Sequence, residues 1–207
     1  VGIGTMGLHM SRNLMKAGYD LAIYNRTAEK MQPLVEEGAT PCATPAEVGE
    51  KSELVFTCVS DVPDVEEVTL GSQGVAKGIP SGGIIVDCST SSPALARRMA
   101  DELKPRGIGV LDAPVSGGPE GARTGDLSIM AGGEEEVFQR AKPVLEAVGK
   151  TIILIGPPGS GQLTKAINQI VGALHLEAVA EGIVLAKKAG IDAEKVLQAV
   201  GGGAAQS

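Results

Sequence analysis

The chain has 207 residues, room for one large domain or for one domain with part of another. Its 18 Lys and Arg are outnumbered by 25 Asp and Glu, and the net charge of −7 argues against a nucleic-acid-binding face or an anionic-membrane patch. Hydrophobic residues at 43% suffice for a core, whereas the absence of Trp, with Tyr 2 and Phe 2, argues against recognition by aromatic stacking.

The chain opens on Val1 directly before Gly2-Ile3-Gly4-Thr5-Met6-Gly7, a GxGxxG pattern leading into a helical pattern over Leu8–Ala17. In that pattern the first glycine permits a tight turn and the second lets the backbone approach a pyrophosphate. The third allows a helix to pack closely, its N-terminus turned toward the anion. Leu21–Tyr24 reads as a strand, and at its end comes Asn25-Arg26-Thr27, where such folds meet the adenosine ribose. An acidic residue there would accept from a 2′-hydroxyl and repel a 2′-phosphate. Asn25, Arg26 and Thr27 instead favour NADP over NAD, with Thr27 also expected to cap the next helix, Thr27–Glu37.

Leu54–Val59 and Ile84–Cys88 read as buried strands, the second followed by a helix from Pro93. Val110-Leu111, Leu127–Met130 and Ile152–Ile155 complete the set, with a helix over Glu134–Val148. Continuously apolar strands separated by helices predict an α/β fold whose mostly parallel sheet is covered on both faces. Gly156-Pro157-Pro158-Gly159-Ser160-Gly161 looks like the start of a P-loop, but Gln162 and Leu163 stand where Lys and Ser/Thr are required, so ATP hydrolysis is rejected. From Gln162 to Ala189 runs one long helical pattern, about 42 Å, apolar on more than one face. A boundary near Pro158 therefore predicts two domains, 1–158 and the start of a helical domain at 159–207.

Cys42, Cys58 and Cys88 have no pairing or metal-ligand spacing, and His9 and His175 lie far from them. A disulfide framework and a metal site are both disfavoured, and the cysteine usage suits a reducing compartment. Cys58 and Cys88 are expected as core thiols, and the two histidines as structural or exposed residues. No uninterrupted apolar run is long enough for a bilayer, so no membrane crossing is predicted. Val1 and the tail Gly201–Ser207 read as the ends of a piece of a longer chain, with a targeting segment possible outside it.

Three segments together resemble the β-hydroxyacid dehydrogenase family: Gly2–Leu14, Asp112-Ala113-Pro114-Val115-Ser116-Gly117-Gly118 with Gly121-Ala122, and Gly159–Gln169. The resemblance covers essentially the whole chain. It implies a Rossmann-like, doubly wound domain joined by a long helix to an all-helical C-terminal domain. It also implies NADP-dependent, or alternatively NAD-dependent, hydride transfer on a short β-hydroxy acid or semialdehyde, in the cytoplasm or an organelle. By resemblance Lys165 is the catalytic lysine, Asn168 binds substrate, and Ser116-Gly117-Gly118 is the substrate-carboxylate loop. Val59, Ser60 and Thr90 match positions on the nicotinamide side. Gly2, Gly4, Thr5, Met6 and Gly7 cradle the cofactor, and the helical domain implies a homo-oligomer.

The related 6-phosphogluconate dehydrogenases have a similar loop to Val115–Arg123, but place a His where this chain has Ile167. Imine reductases and non-catalytic dehydrogenase-fold scaffolds replace the lysine that this chain keeps.

Overall fold

The computed structural model describes residues 1–203; Ala204–Ser207, part of the tail noted above, lie outside the described residues. The chain divides into two compact units, Val1–Lys165 and 166–207.

In the first unit, α1 (Thr5–Lys16) leads to β1 (Ala22–Ile23), which pairs in parallel with β2 (Thr40–Pro41). Between them, a 3-10 turn over Ala28–Met31 and the short α2 (Gln32–Glu36) replace the single helix expected from Thr27. Thr27 occupies the cap position of that turn, yet its side chain makes no capping hydrogen bond. The cap expectation is corrected: Pro33 sets a new helix start, and the backbone reaches it through the tighter turn.

The chain continues through α3 (Pro45–Glu50), β3 (Leu54–Thr57), α4 (Val62–Leu70), α5 (Val75–Gly78), β4 (Ile84–Asp87), α6 (Pro93–Leu103) and β5 (Gly109–Asp112). Then follow β6 (Val115–Ser116), α7 (Gly118–Thr124), β7 (Leu127–Gly132), α8 (Glu135–Leu145) and β8 (Gly149–Gly156). Strands β3, β4 and β5 are parallel; β7 runs antiparallel to β5 and β6 and parallel to β8. The Val1 amine donates to the Phe56 carbonyl at 2.7 Å, the Cys58 N–H to Val1 at 3.0 Å and the Gly2 N–H to Tyr24 at 2.9 Å. Val1-Gly2 thus lies between the β1–β2 pair and β3. From there the chain winds one way into β1 and β2 and the other way into β3–β5. That reversal is the switch point at which doubly wound sheets open a ligand crevice.

The strands are covered on both faces. Ile84, Val86 and Leu111 pack toward Met10 and Leu14 of α1 and Phe138, Ala141 and Leu145 of α8. Ile85 and Val110, pointing the other way, pack with Val65 of α4 and Leu95 and Met99 of α6. This alternation follows from the two-residue side-chain period of a strand. Each such side chain, once fully buried, contributes roughly 1.5–3 kcal/mol of transfer free energy. The first unit is Rossmann-like.

Helix α9 (Ser160–Lys188) begins inside the first unit and continues into the second, which also holds α10 (Ala193–Gly201). Its first turn belongs with the sheet, so the compact unit extends past Pro158 to Lys165. Within the second unit Ile167, Ile170, Leu174, Leu176 and Leu185 are exposed. Over its most apolar stretch α9 reaches a mean hydropathy of 1.4. It thus passes a test of length and composition for a membrane-crossing helix, one that core helices of soluble proteins pass as well. His175 is exposed, His9 is half-buried, Cys88 is buried and Cys58 is half-buried at the end of β3.

Candidate active site

The glycine turn sits at the switch point. Gly2 has φ +90°, a conformation strained for any side chain, and a Cβ there would run into the Cys58 carbonyl. A Cβ on Gly7 would overlap the Gly2 carbonyl, so the third glycine lets α1 press against the turn. Gly4 has open space where its side chain would be. It is the N-cap of α1, which has no side-chain cap and no acidic residue in its first turn. The positive end of the α1 dipole is left without a carboxylate partner of its own in that turn.

A cleft of about 400 Å³ opens here. It brings together Gly2, Gly4, Thr5, Met6 and Gly7 from the turn, Asn25, Arg26 and Thr27 beyond β1, and Val59 and Ser60 beyond β3. Thr90 is exposed and lies outside this lining, on the turn after β4. Among the lining residues not anticipated from the sequence are Tyr24, Lys30 and Asp64. Asp64 pairs with Arg26 at 3.0 Å, a contact between elements that no local spacing could reveal. Asn25 serves the backbone: its Oδ1 accepts from the Ile3 N–H at 2.9 Å and its Nδ2 donates to the Thr27 carbonyl at 2.8 Å. It ties the glycine turn to the end of β1. The Cys58 thiol, also on the cleft wall, is pushed up to about 11 by burial and stays protonated at neutral pH. The open Gly4 face, the unpartnered helix terminus and the basic Arg26 fit a dinucleotide, so these are the residues that would hold one.

A second cluster forms where β5, β6 and β7 meet the start of α9. Lys165 is 8% exposed, and its Nζ donates to the Val115 carbonyl at 2.8 Å. That contact sets the amine at the head of Ser116-Gly117-Gly118. Gly117 and Gly118 have φ of 132° and 61°, so this loop uses backbone shapes that favour glycine. Desolvation lowers the Lys165 pKa from its ordinary value, which makes the ammonium a readier proton donor and the amine more available as a base. Asn168 lies one helical turn further along α9, in the second unit, half-buried.

Buried carboxylates support this cluster. Asp87 accepts from the Thr57 hydroxyl at 2.8 Å, the Ser89 N–H at 3.1 Å and the Ser91 hydroxyl at 3.1 Å. Asp112 accepts from the Gly159 N–H at 2.7 Å and the Gln162 N–H at 2.9 Å. Burial pushes Asp112 up from 3.8 to about 6, despite those hydrogen bonds. Burial raises Asp87 as well.

A raised carboxylate pKa means that the native state holds its proton more tightly than the unfolded chain. The contribution of Asp112 to stability is therefore greatest below about pH 4 and declines as pH rises toward about 6, by roughly 3 kcal/mol, then levels off. The stability of the parent relative to Asp112→Asn should fall across that interval in denaturant titrations at successive pH values. A difference that is flat or rises with pH would contradict the buried-carboxylate account.

Residues 1–156 match the family profile for the NAD-binding domain of 6-phosphogluconate dehydrogenase. Residues 159–207 match that for the NAD-binding region of NADP-dependent 3-hydroxyisobutyrate dehydrogenase. The chain is 45% identical to the 2-hydroxy-3-oxopropionate reductase of Escherichia coli, across all of this chain and 70% of the relative. It is 44% identical to a probable mitochondrial 3-hydroxyisobutyrate dehydrogenase-like protein of Arabidopsis thaliana, across all of this chain and 65% of that one. Among solved structures it is similar to the 3-hydroxyisobutyrate dehydrogenase of Mycobacterium tuberculosis, described with L-serine, with a TM-score of 0.89 and 32% identity. The likeness covers 100% of this chain and 70% of the other.

Proposed function

The chain belongs to the β-hydroxyacid dehydrogenase family of NAD(P)-dependent oxidoreductases, and from that premise we propose that it uses NADP(H) to interconvert a short semialdehyde and its β-hydroxy acid. The observation that carries this reading is Lys165, nearly buried and bonded to Val115 at the head of the glycine loop.

A nicotinamide cofactor held at the glycine turn would supply the hydride chemistry, in either direction, at the carbonyl or carbinol carbon. In reduction the Lys165 ammonium gives a proton to the carbonyl oxygen as negative charge develops there, leaving a neutral amine. In oxidation the neutral amine takes the hydroxyl proton as the hydride departs. Ser116 and the main chain of Gly117 and Gly118 receive the substrate carboxylate, so that one end of a short acid is fixed while the other meets the lysine. Asn168, on the same helix, binds the substrate hydroxyl or carboxylate. Arg26 and Thr27 would hold the 2′-phosphate, and Val59, Ser60 and Thr90 would be the residues on the nicotinamide side. The protein acts in the cytoplasm or an organelle, as an oligomer formed through the helical unit.

A second reading, a 6-phosphogluconate dehydrogenase-like enzyme, is favoured by the match of residues 1–156. Ile167, where that family places a histidine, speaks against it. The test is a substrate panel with NADPH on the complete protein that contains this chain: glyoxylate, succinic semialdehyde, tartronate semialdehyde and methylmalonate semialdehyde, against 6-phosphogluconate with NADP. At least one aldehyde should exceed 6-phosphogluconate in kcat/KM by roughly tenfold or more, the scale of discrimination that pocket contacts provide. Turnover of 6-phosphogluconate alone would establish the second reading, and no turnover of any would support a scaffold.

A further inference from the structure

The first turn of α9 is held by groups that the hydride-transfer mechanism itself does not use. Ordinarily the first N–H groups of a helix look to a side chain at its own start or to water. In α9 they look across the molecule to β5. The two oxygens of Asp112, a residue 1% exposed, are divided between the N–H groups of Gly159 and Gln162. Gly161 lies so close to the Asp112 and Met130 carbonyls that a Cβ would overlap both. The helix start is therefore seated directly on the ends of β5 and β7. Here the glycine-rich segment that imitates a P-loop has its use.

The Gln162 side chain adds a second attachment in another direction. It is 2% exposed, and its Oε1 accepts from the Ser91 N–H at 2.8 Å while its Nε2 donates to the Ser89 carbonyl at 2.8 Å. Both ends of the amide are thus spent on one turn, the one after β4. Asp87 secures that turn from beneath, and the Ser89 hydroxyl accepts from the Val59 N–H at 2.9 Å on the cleft wall. A hydrogen-bonded path runs without interruption from the cleft wall to the helical turn that carries Lys165. Gln162 stands three residues before Lys165, on the same side of the helix.

We propose that Gln162 and Asp112 are positioning residues for Lys165, fixing the first turn of α9 against the turn after β4 so that the amine meets the reacting oxygen in register with the cleft. The physical need is clear. A lysine has a long flexible stem, and its usefulness as an acid depends on where its backbone is anchored. This inference rests on the reading of Lys165 as general acid and base, and the experiment separates the two.

Gln162→Leu keeps the side-chain volume and removes both amide hydrogen bonds. Asp112→Asn keeps the shape and leaves one N–H of the helix start facing an amide donor; it serves if the first variant does not fold. Each is measured for kcat and for NADPH dissociation constant, alone and combined with Lys165→Ala, in the complete protein. Misplacement of a catalytic group costs up to about 10²-fold, so each single variant should lose roughly 10–100-fold in kcat, with NADPH affinity within about threefold of the parent. Groups that act as a unit are non-additive, so in the Lys165→Ala background the same substitutions should cost less than about threefold. Equal losses in both backgrounds would show a merely structural role and overturn the proposal while leaving Lys165 in the mechanism. Single variants that turn over like the parent would also overturn it. If Lys165→Ala itself keeps parental turnover, the acid–base reading fails and the positioning role fails with it.

Discussion

Lys165→Ala should lower kcat by about 10²–10⁴, the usual contribution of a positioned general acid or base, while NADPH affinity changes little. The two effects separate because the amine belongs to the cluster at β6 and α9, whereas the glycine turn, Arg26 and Val59 line a different cleft. Arginine should not restore turnover. Its guanidinium does not give up a proton in this pH range, and its planar fork does not fit a site shaped around one Nζ–H donated to Val115. The pH profiles carry a sign as well. Because burial lowers the lysine pKa, the oxidative rate, which needs the neutral amine, should rise with pH through a value below the ordinary lysine range. The reductive rate, which needs the ammonium, should fall through that same region. Both limbs should disappear in Lys165→Ala. Retention of most turnover would remove Lys165 from the mechanism.

Arg26→Ala should weaken NADPH binding by about 10–150-fold and leave NADH nearly unaffected, since a charge-assisted hydrogen bond to the 2′-phosphate contributes about 1.5–3 kcal/mol. The structure moves the expectation toward the lower end of that range. Arg26 is 81% exposed and already paired with Asp64, so the phosphate must displace a carboxylate, and exposed pairs of this kind are worth under about 1 kcal/mol. Asn25→Asp is a less direct test than the sequence suggested. It would offer an acceptor to a free 2′-hydroxyl and repel a 2′-phosphate, shifting preference toward NADH. It would also lose the donation to the Thr27 carbonyl that steadies the end of β1. Calorimetric titration of both cofactors against the parent and both variants separates these effects. Equal affinity of the parent for NADH and NADPH would reduce Arg26 to a solvated loop residue.

The doubly wound core was legible because Leu54–Thr57, Ile84–Asp87 and Leu127–Gly132 are short apolar runs bounded by turns, and burial on both sheet faces demands that composition. The glycine turn was legible because its three glycines answer to close backbone approaches at fixed spacing. The short helices α3, α4 and α5 went unread: α3 and α4 are marked chiefly by their caps, Thr44 and Asp61, α5 has no side-chain cap, and the apolar residues of all three are too few to show a period. Strand β6, two residues long, has no pattern of its own and exists through its pairing with β7. The supports of the site were hidden for a different reason. Asp112 and Gln162 are both visible in the sequence, one inside the loop motif and the other as the residue that spoils a P-loop. Their joint role depends on β5 and β8 both ending opposite Gly132 of β7, a non-local fact that no window along the chain contains.

The most direct measurement is the fate of deuterium from NADPH labelled at C4 of the nicotinamide, followed by mass spectrometry and NMR with the aldehyde that the panel selects. If the chain transfers hydride as described, the deuterium arrives at the former carbonyl carbon, from one face of the nicotinamide only. In Lys165→Ala the labelled product should form at a rate lower by the same factor as kcat. Product without deuterium at that carbon, or no reduction of any aldehyde by the complete protein with NADPH bound, would contradict the account.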